Sequence, residues 1–198
     1  MFGEIMTASE KLKYSTKSLH HYLDHLPMMQ GLVSPQLTLC DYMDVLSMLG
    51  SWYQTLEKQF SPYWLDLDWS PKAPLILKDI KTINHSAKLN HIEFERPNIS
   101  NEAFALGVFY VCEGATLGGQ VIRPRVIKHL KRDDITAYYE CYGEACYQQW
   151  RTTTHYFNTR LLDNSDIETA IKGAQWAFSQ LIDLIESTQD LDNAINYA

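Results

Sequence analysis

The segment Tyr110-Val111-Cys112-Glu113-Gly114-Ala115-Thr116-Leu117-Gly118-Gly119-Gln120 constrains the fold more than any other part of the chain. It lies in an apolar-periodic run that begins near Ser100 and meets no proline until Pro124, a pattern that reads as one long helix. Three glycines, Gly114, Gly118 and Gly119, fall within six positions of it. Each costs about 1 kcal/mol relative to alanine in a helix interior. A sequence accepts that cost where a helix must bend, or where a backbone or a flat ligand lies directly against it. Close helix–helix packing and a ligand face both meet that condition, and the glycines alone do not separate them.

The remaining chain reads as helices with short breaks. A first helix is expected from about Ala8 to Leu26, stopped by Pro27. A second follows Pro35, with Thr38 as its cap and Leu39, Tyr42, Met43, Leu46, Leu49 and Tyr53 at helical spacing, and ends near Phe60. Prolines 62, 71 and 74 mark an irregular link before a third helix over roughly Leu75 to Leu89. Pro97, with Asn98 or Ser100 as cap, opens the glycine-bearing helix. Another is expected from about Asp134 to Leu162, interrupted near Gly143, and Asn164 or Ser165 caps the last. No β pattern competes, and no internal repeat is present. The expectation is an all-α, single-domain bundle of about seven helices over 1–198, with 1–7 and 190–198 as loose ends. A chain of 198 residues is long enough to bury about 70% of its unfolded surface in one core.

Composition narrows the function. A formal charge of −7 argues against a general nucleic-acid binder, whose affinity comes from phosphate neutralisation. No apolar stretch reads as the ~20 residues needed to span a bilayer, and the opening residues resemble neither a signal nor a transit peptide. Cys40, Cys112, Cys141 and Cys146 show no CxxC spacing, so reduced thiols and a cytoplasmic location are expected. The few cations concentrate before His20 (Lys11, Lys13, Lys17) and in the run Arg123 to Arg132.

Lys13, Lys17, His20 and Asp24 follow one another at spacings of four, three and four, which places them on one helical face. Leu12, Leu19, Leu23 and Leu26 form a neighbouring apolar edge that can pack the helix down. His20 reads either as an ordinary surface histidine or as an axial ligand for haem iron, with Asp24 one turn on receiving the other ring N–H. Lys13 and Lys17 sit where the anionic rim of a haem could be received.

Both stretches resemble one family. Leu12-Lys13-Tyr14-Ser15-Thr16-Lys17-Ser18-Leu19-His20, with Asp24 four residues on, is similar to the opening helix of haem oxygenases, Leu-Lys-x-x-Thr-Lys-x-x-His. Gly114-Ala115-Thr116-Leu117-Gly118-Gly119-Gln120 resembles that family's glycine-rich distal helix, particularly in the bacterial biliverdin-producing branch. Ala174-Gln175-Trp176-Ala177-Phe178 is similar to its last core helix. The resemblance implies haem sandwiched between a proximal first helix and a glycine-kinked distal helix. It assigns His20 as the iron ligand, Lys13, Lys17 and Asp24 as its surroundings, and Gly114, Gly118 and Gly119 as the distal surface. Thr116 becomes a candidate for a proton path, and Phe178 an aromatic lining the distal pocket. Arg160, or Arg151, supplies a further propionate cation.

The activity implied is reductive, O₂-dependent opening of haem b, cofactor and substrate at once, to biliverdin, CO and Fe²⁺. The protein's part is binding, orientation and protons. No flavin or nucleotide fingerprint is present, so electrons must come from an external reductase or ferredoxin. The run Arg123 to Arg132 reads either as a solvated helix end or as a docking face for that acidic partner. Two departures from the family matter. Ala115 stands where the mammalian enzymes carry an aspartate that organises water, and Phe109 aligns with a tyrosine that contacts a propionate, with Tyr110 about 100° further round. A non-catalytic haem-binding or sensing protein of the same fold is therefore the alternative. A di-iron bundle is a weaker one, since no Glu-x-x-His pair occurs.

Overall fold

In the computed structural model, which describes residues 6–95, 97 and 101–196, the described residues form seven α-helices and no strand. They are α1 (Ala8–His25), α2 (Pro27–Gly31), α3 (Leu39–Phe60), α4 (Ala73–Ile83), α5 (Glu102–Leu130), α6 (Cys146–Arg160) and α7 (Asn164–Asn196). Short 3-10 turns sit at Ser61–Tyr63 and Gly143–Ala145. The all-α expectation holds.

Local chemistry sets the boundaries. Thr7 and Glu10 cap α1 reciprocally, and Thr38 and Asp41 do the same for α3. Pro27 does more than end α1. It opens the one-turn α2, where its missing N–H has no helical partner to lose. The third helix stops at Ile83 rather than Leu89, because Asn84 turns extended and its side chain accepts the Ser86 N–H at 3.1 Å. The cap of α5 is Asn101, which accepts the Phe104 N–H at 2.9 Å; Asn98 and Ser100 lie outside the described residues. Asp163, not Asn164 or Ser165, caps α7 by accepting the Asp166 N–H at 2.9 Å.

The largest departure concerns the helix expected from Asp134. Residues 133–142 form turns, and α6 begins only at Cys146. The cause is long-range. The buried Asp79 carboxylate on α4 accepts the N–H groups of Ala137 and Tyr138 at 2.8 and 2.9 Å, and the Tyr42 hydroxyl donates to the Ile135 carbonyl at 2.9 Å. Burial pushes the Asp79 carboxyl above its usual range, and the two N–H donors only partly offset that. The folded state therefore binds a proton more readily than the unfolded chain. Asp79's share of stability is full below the ordinary carboxylate pKa and declines as pH rises through the raised value. Urea midpoints measured across that window should fall less steeply in Asp79→Asn than in the native chain; parallel curves would mean that Asp79 titrates normally.

α5 and α7 form the centre. They cross where Gly107 faces Ala170 and Ala174, and Gly173 faces Phe104, with no room for a Cβ at either glycine. Around the crossing lies an aromatic core of Phe60, Trp64, Phe104, Phe109 and Phe157. Trp64 donates its indole N–H to the Ala105 carbonyl at 3.0 Å, so its one polar atom is satisfied there. α5 is helical through all three glycines and through Pro124 to Leu130. By length and composition α5 is apolar enough to cross a membrane, contrary to the sequence expectation. In this fold 56% of that window is buried among the other helices.

Candidate functional site

α1 is laid along α7 by a series of contacts in register. Lys11 Nζ donates to Asn164 Oδ1 at 3.0 Å, Gln175 Nε2 to the Ser15 carbonyl at 3.1 Å, and Tyr22 to Glu186 at 2.6 Å. α6 runs antiparallel to α5, pairing Arg160 with Glu102 at one end and Cys146 with Thr116 at the other. α1 begins against the end of α6, through Ser9 N and Asn158 Oδ1 at 2.9 Å. α1 and α5 consequently run in the same sense, each packed on α7 but not extensively on one another. They approach where the Thr16 side chain meets the Tyr110 hydroxyl. One turn beyond that closed end lie His20 and Gly114. A further turn on lie Asp24 and Gly118. A ligand gripped between the two helices would have His20 on one side and the glycine helix on the other, and this is the candidate groove.

On α1 the apolar edge behaves as expected, with Leu12, Leu23 and Leu26 buried. His20 stands clear of it, with 63% of its side chain exposed, and its Nδ1 lies 2.9 Å from Asp24 Oδ2. A carboxylate on Nδ1 holds that nitrogen protonated and leaves the Nε2 lone pair for a ligand. The ring edge meets Phe178 at 5.9 Å between centroids. Phe178 therefore lies against His20. Lys13 and Lys17 are exposed on the His20 stripe, with no carboxylate within 4.0 Å among the described residues.

The three glycines divide. At about 100° per residue, Tyr110, Gly114, Gly118 and Val121 share one face of α5, whereas Glu113, Thr116, Gly119 and Arg123 lie on the opposite side. A Cβ at Gly119 would come within 2.8 Å of the Tyr139 carbonyl oxygen, so this glycine serves close packing. A Cβ at Gly114 would touch the edge of the Trp150 indole at 3.5 Å, an ordinary contact. At Gly118 it would meet nothing nearer than Ile122 at 4.0 Å. No packing among the described residues requires a glycine at 118. Gly118→Ala should leave the thermal midpoint unchanged or raise stability by up to about 1 kcal/mol. A midpoint drop would show that an unseen neighbour, not a ligand, accounts for this glycine.

Other sequence assignments move. Thr116 is buried, and its hydroxyl donates to the Glu113 carbonyl at 2.7 Å, so it faces away from the groove. Phe109 is core, against Trp64 and Trp69, and the groove-facing aromatic is Tyr110, beside Trp150 and Phe157. Arg160 makes a two-pronged pair with Glu102 at 2.6 and 2.9 Å, about 24 Å along α5 from Gly118. It does not reach the groove. Residues 123–130 of the basic run form the last two turns of α5, because Pro124 is carried inside the helix, and Lys131 and Arg132 follow its end. Within that run Arg123 pairs with Glu140 at 3.0 Å and Arg132 with Asp134 at 2.6 Å. Arg125, Lys128 and Lys131 have no ion-pair partner among the described residues. Among those residues no three His, Cys, Asp or Glu side chains are grouped to hold a metal ion by themselves. A cavity of about 580 Å³ lies elsewhere, between α2, α3 and α7, and includes none of these residues.

Sequence reasoning missed a buried polar group directly behind the glycines. Lys72 and Glu113 form an ion pair, each about 1% exposed. The Tyr142 hydroxyl donates to Glu113 Oε2 at 3.0 Å and lies 3.1 Å from Lys72 Nζ. The available signal was a single acid, Glu113, in an otherwise apolar run.

No family model matches the chain, and no curated protein matches it by sequence. Solved structures do match by shape. The NO- and CO-bound haem oxygenase of Neisseria meningitidis superposes with a TM-score of 0.74 at 19% identity, covering 93% of this chain and 92% of that one. Haem oxygenase from Leptospira interrogans gives 0.72 at 14% identity, with 92% and 100% covered. Haem oxygenase-1 of the cyanobacterium Synechocystis, solved with haem, gives 0.76 at 14% identity, with 97% of each chain covered. The chain has the haem oxygenase fold over nearly its whole length.

Proposed function

We propose that this chain is a haem oxygenase that binds haem in the α1–α5 groove and opens it, with O₂ and external electrons, to biliverdin, CO and Fe²⁺. The observations that carry the reading are His20, its Nδ1 held by Asp24, and a Gly118 on α5 that no close packing among the described residues requires. That helix face suits a flat apolar ligand, and the fold is the one in which haem-bound neighbours were solved.

In this reading His20 Nε2 would hold the haem iron, with Asp24 fixing the ring's tautomer. Lys13 and Lys17, on the same stripe, receive propionates at the groove's open edge. Gly118 would let a flat ligand come close to the α5 backbone, which a side chain would hinder. Tyr110 and Trp150 close the inner end and exclude water. Bound haem would supply the iron at which O₂ is reduced and the meso carbon that is oxidised. Arg125, Lys128 and Lys131 offer a cationic surface for an acidic electron donor.

The test is to load the purified chain with hemin and add reductant under air. Replacement of the haem spectrum by that of a bilin supports the enzyme. A stable ferric or oxygenated complex after many reducing equivalents would assign the chain to the non-catalytic reading, which the missing acid at Ala115 favours.

A further inference from the structure

The back of α5 is fastened to the turns at 133–146 along its whole glycine-bearing stretch. Glu113 is joined to Tyr142, Thr116 to Cys146, Gly119 abuts Tyr139, and Arg123 meets Thr136 and Glu140. These positions recur every three or four residues on the side opposite Tyr110, Gly114 and Gly118. Most of these contacts are packing or surface pairs. Glu113 differs. Its carboxylate is buried at a point where four separate segments meet. Lys72 approaches from the link before α4, and Tyr142 from the turns. Ser70 N donates to the same Tyr142 hydroxyl at 2.9 Å. Glu57 on α3 accepts the Lys72 N–H at 2.5 Å. Trp69 and Tyr142 place their rings near the ammonium, at 5.8 and 4.9 Å.

A buried ion pair is a poor device for stability, because apolar residues of similar volume often serve the fold as well or better. What it provides is direction. The close contacts of Gly107 and Gly119 limit rotation of α5 from the α7 and Tyr139 sides, and a carboxylate held by an ammonium and a phenol adds a directional constraint within the glycine-bearing stretch. A rotation of α5 at Glu113 would turn Gly114 and Gly118 away from His20 and bring the flanking Ala115 or Leu117 round toward the groove.

We infer that Lys72, Glu113 and Tyr142 are positioning residues that set the rotation of α5 and so keep the glycine face toward the ligand groove. The consequence for haem rests on the reading above; the hold on α5 does not. Two variants test it in the full chain, Lys72→Met/Glu113→Leu and Tyr142→Phe. Each is assayed by thermal denaturation, by amide hydrogen exchange over 110–120 without haem, and by the pH titration of the ferric hemin spectrum. The expected result is a thermal midpoint within a few degrees of the native chain, with exchange over 110–120 at least about tenfold faster. The ferric titration midpoint moves as well. Native exchange over 110–120 in both variants would overturn the inference. So would a thermal midpoint in Tyr142→Phe that falls in proportion to the faster exchange, since the group would then serve stability alone. If the double variant does not fold, Tyr142→Phe, which keeps the ion pair, decides. If native chain and hemin show no His20-dependent spectrum, the haem reading fails while the exchange measurement still judges the network.

Discussion

His20→Ala is expected to remove the imidazole signature from the electron paramagnetic resonance of the hemin-loaded chain and to weaken hemin binding by more than about 100-fold. Loss of a supporting partner costs about 10- to 100-fold in such sites, and loss of the ligand itself must exceed that. Asp24→Asn, which keeps a weaker acceptor beside Nδ1, should stay within the smaller range. Neither change should shift the folding midpoint by more than about 0.5 kcal/mol, since both side chains are more than half exposed. The neighbouring histidines provide the control. His21 and His25 lie against each other at 4.1 Å between ring centroids, and His25 Nδ1 is 2.7 Å from the His21 carbonyl. If the variant retained an imidazole-ligated spectrum, one of those two would be the ligand and the proposed groove would be the wrong one.

Gly107→Ala is expected to be the most destabilising single change in the bundle. The new methyl would fall inside the contact distance of the Ala170 carbonyl, and the Ala174 N–H lies 2.8 Å away. These are backbone atoms that no rotamer change can move. α5 and α7 would have to separate along the crossing that carries the aromatic core. A loss of about 3 kcal/mol, the upper end of the usual range for overpacking, is expected, equivalent to roughly 10 °C in thermal midpoint for a chain of this size. An unchanged midpoint would mean that the helices do not cross at this point. Set beside Gly118→Ala, the substitution divides the helix by function: the same methyl is excluded at 107 by the α7 backbone and at 118 by nothing among the described residues.

The sequence by itself determined the all-α class and the cap at Thr38. It also set His20, Asp24, Lys13 and Lys17 on one face of α1. All of these depend on interactions within three or four residues, which a helix translates directly into geometry. Glycine spacing likewise announced that α5 must be approached closely. It could not say by what, because a glycine records only the absence of a side chain. Tertiary structure decided that Gly107 and Gly173 serve the α7 crossing, that Gly119 serves Tyr139, and that Gly118 has no close neighbour beyond Ile122 among the described residues. It also turned the segment after Asp134 from helix into turns, through Asp79 and Tyr42, and tied Arg160 to Glu102 far from the groove. Lys72 and Glu113 are separated by 41 positions, and no local pattern joins them. Which buried charge finds a partner is settled only when the helices have packed, since an unpaired one would not be kept.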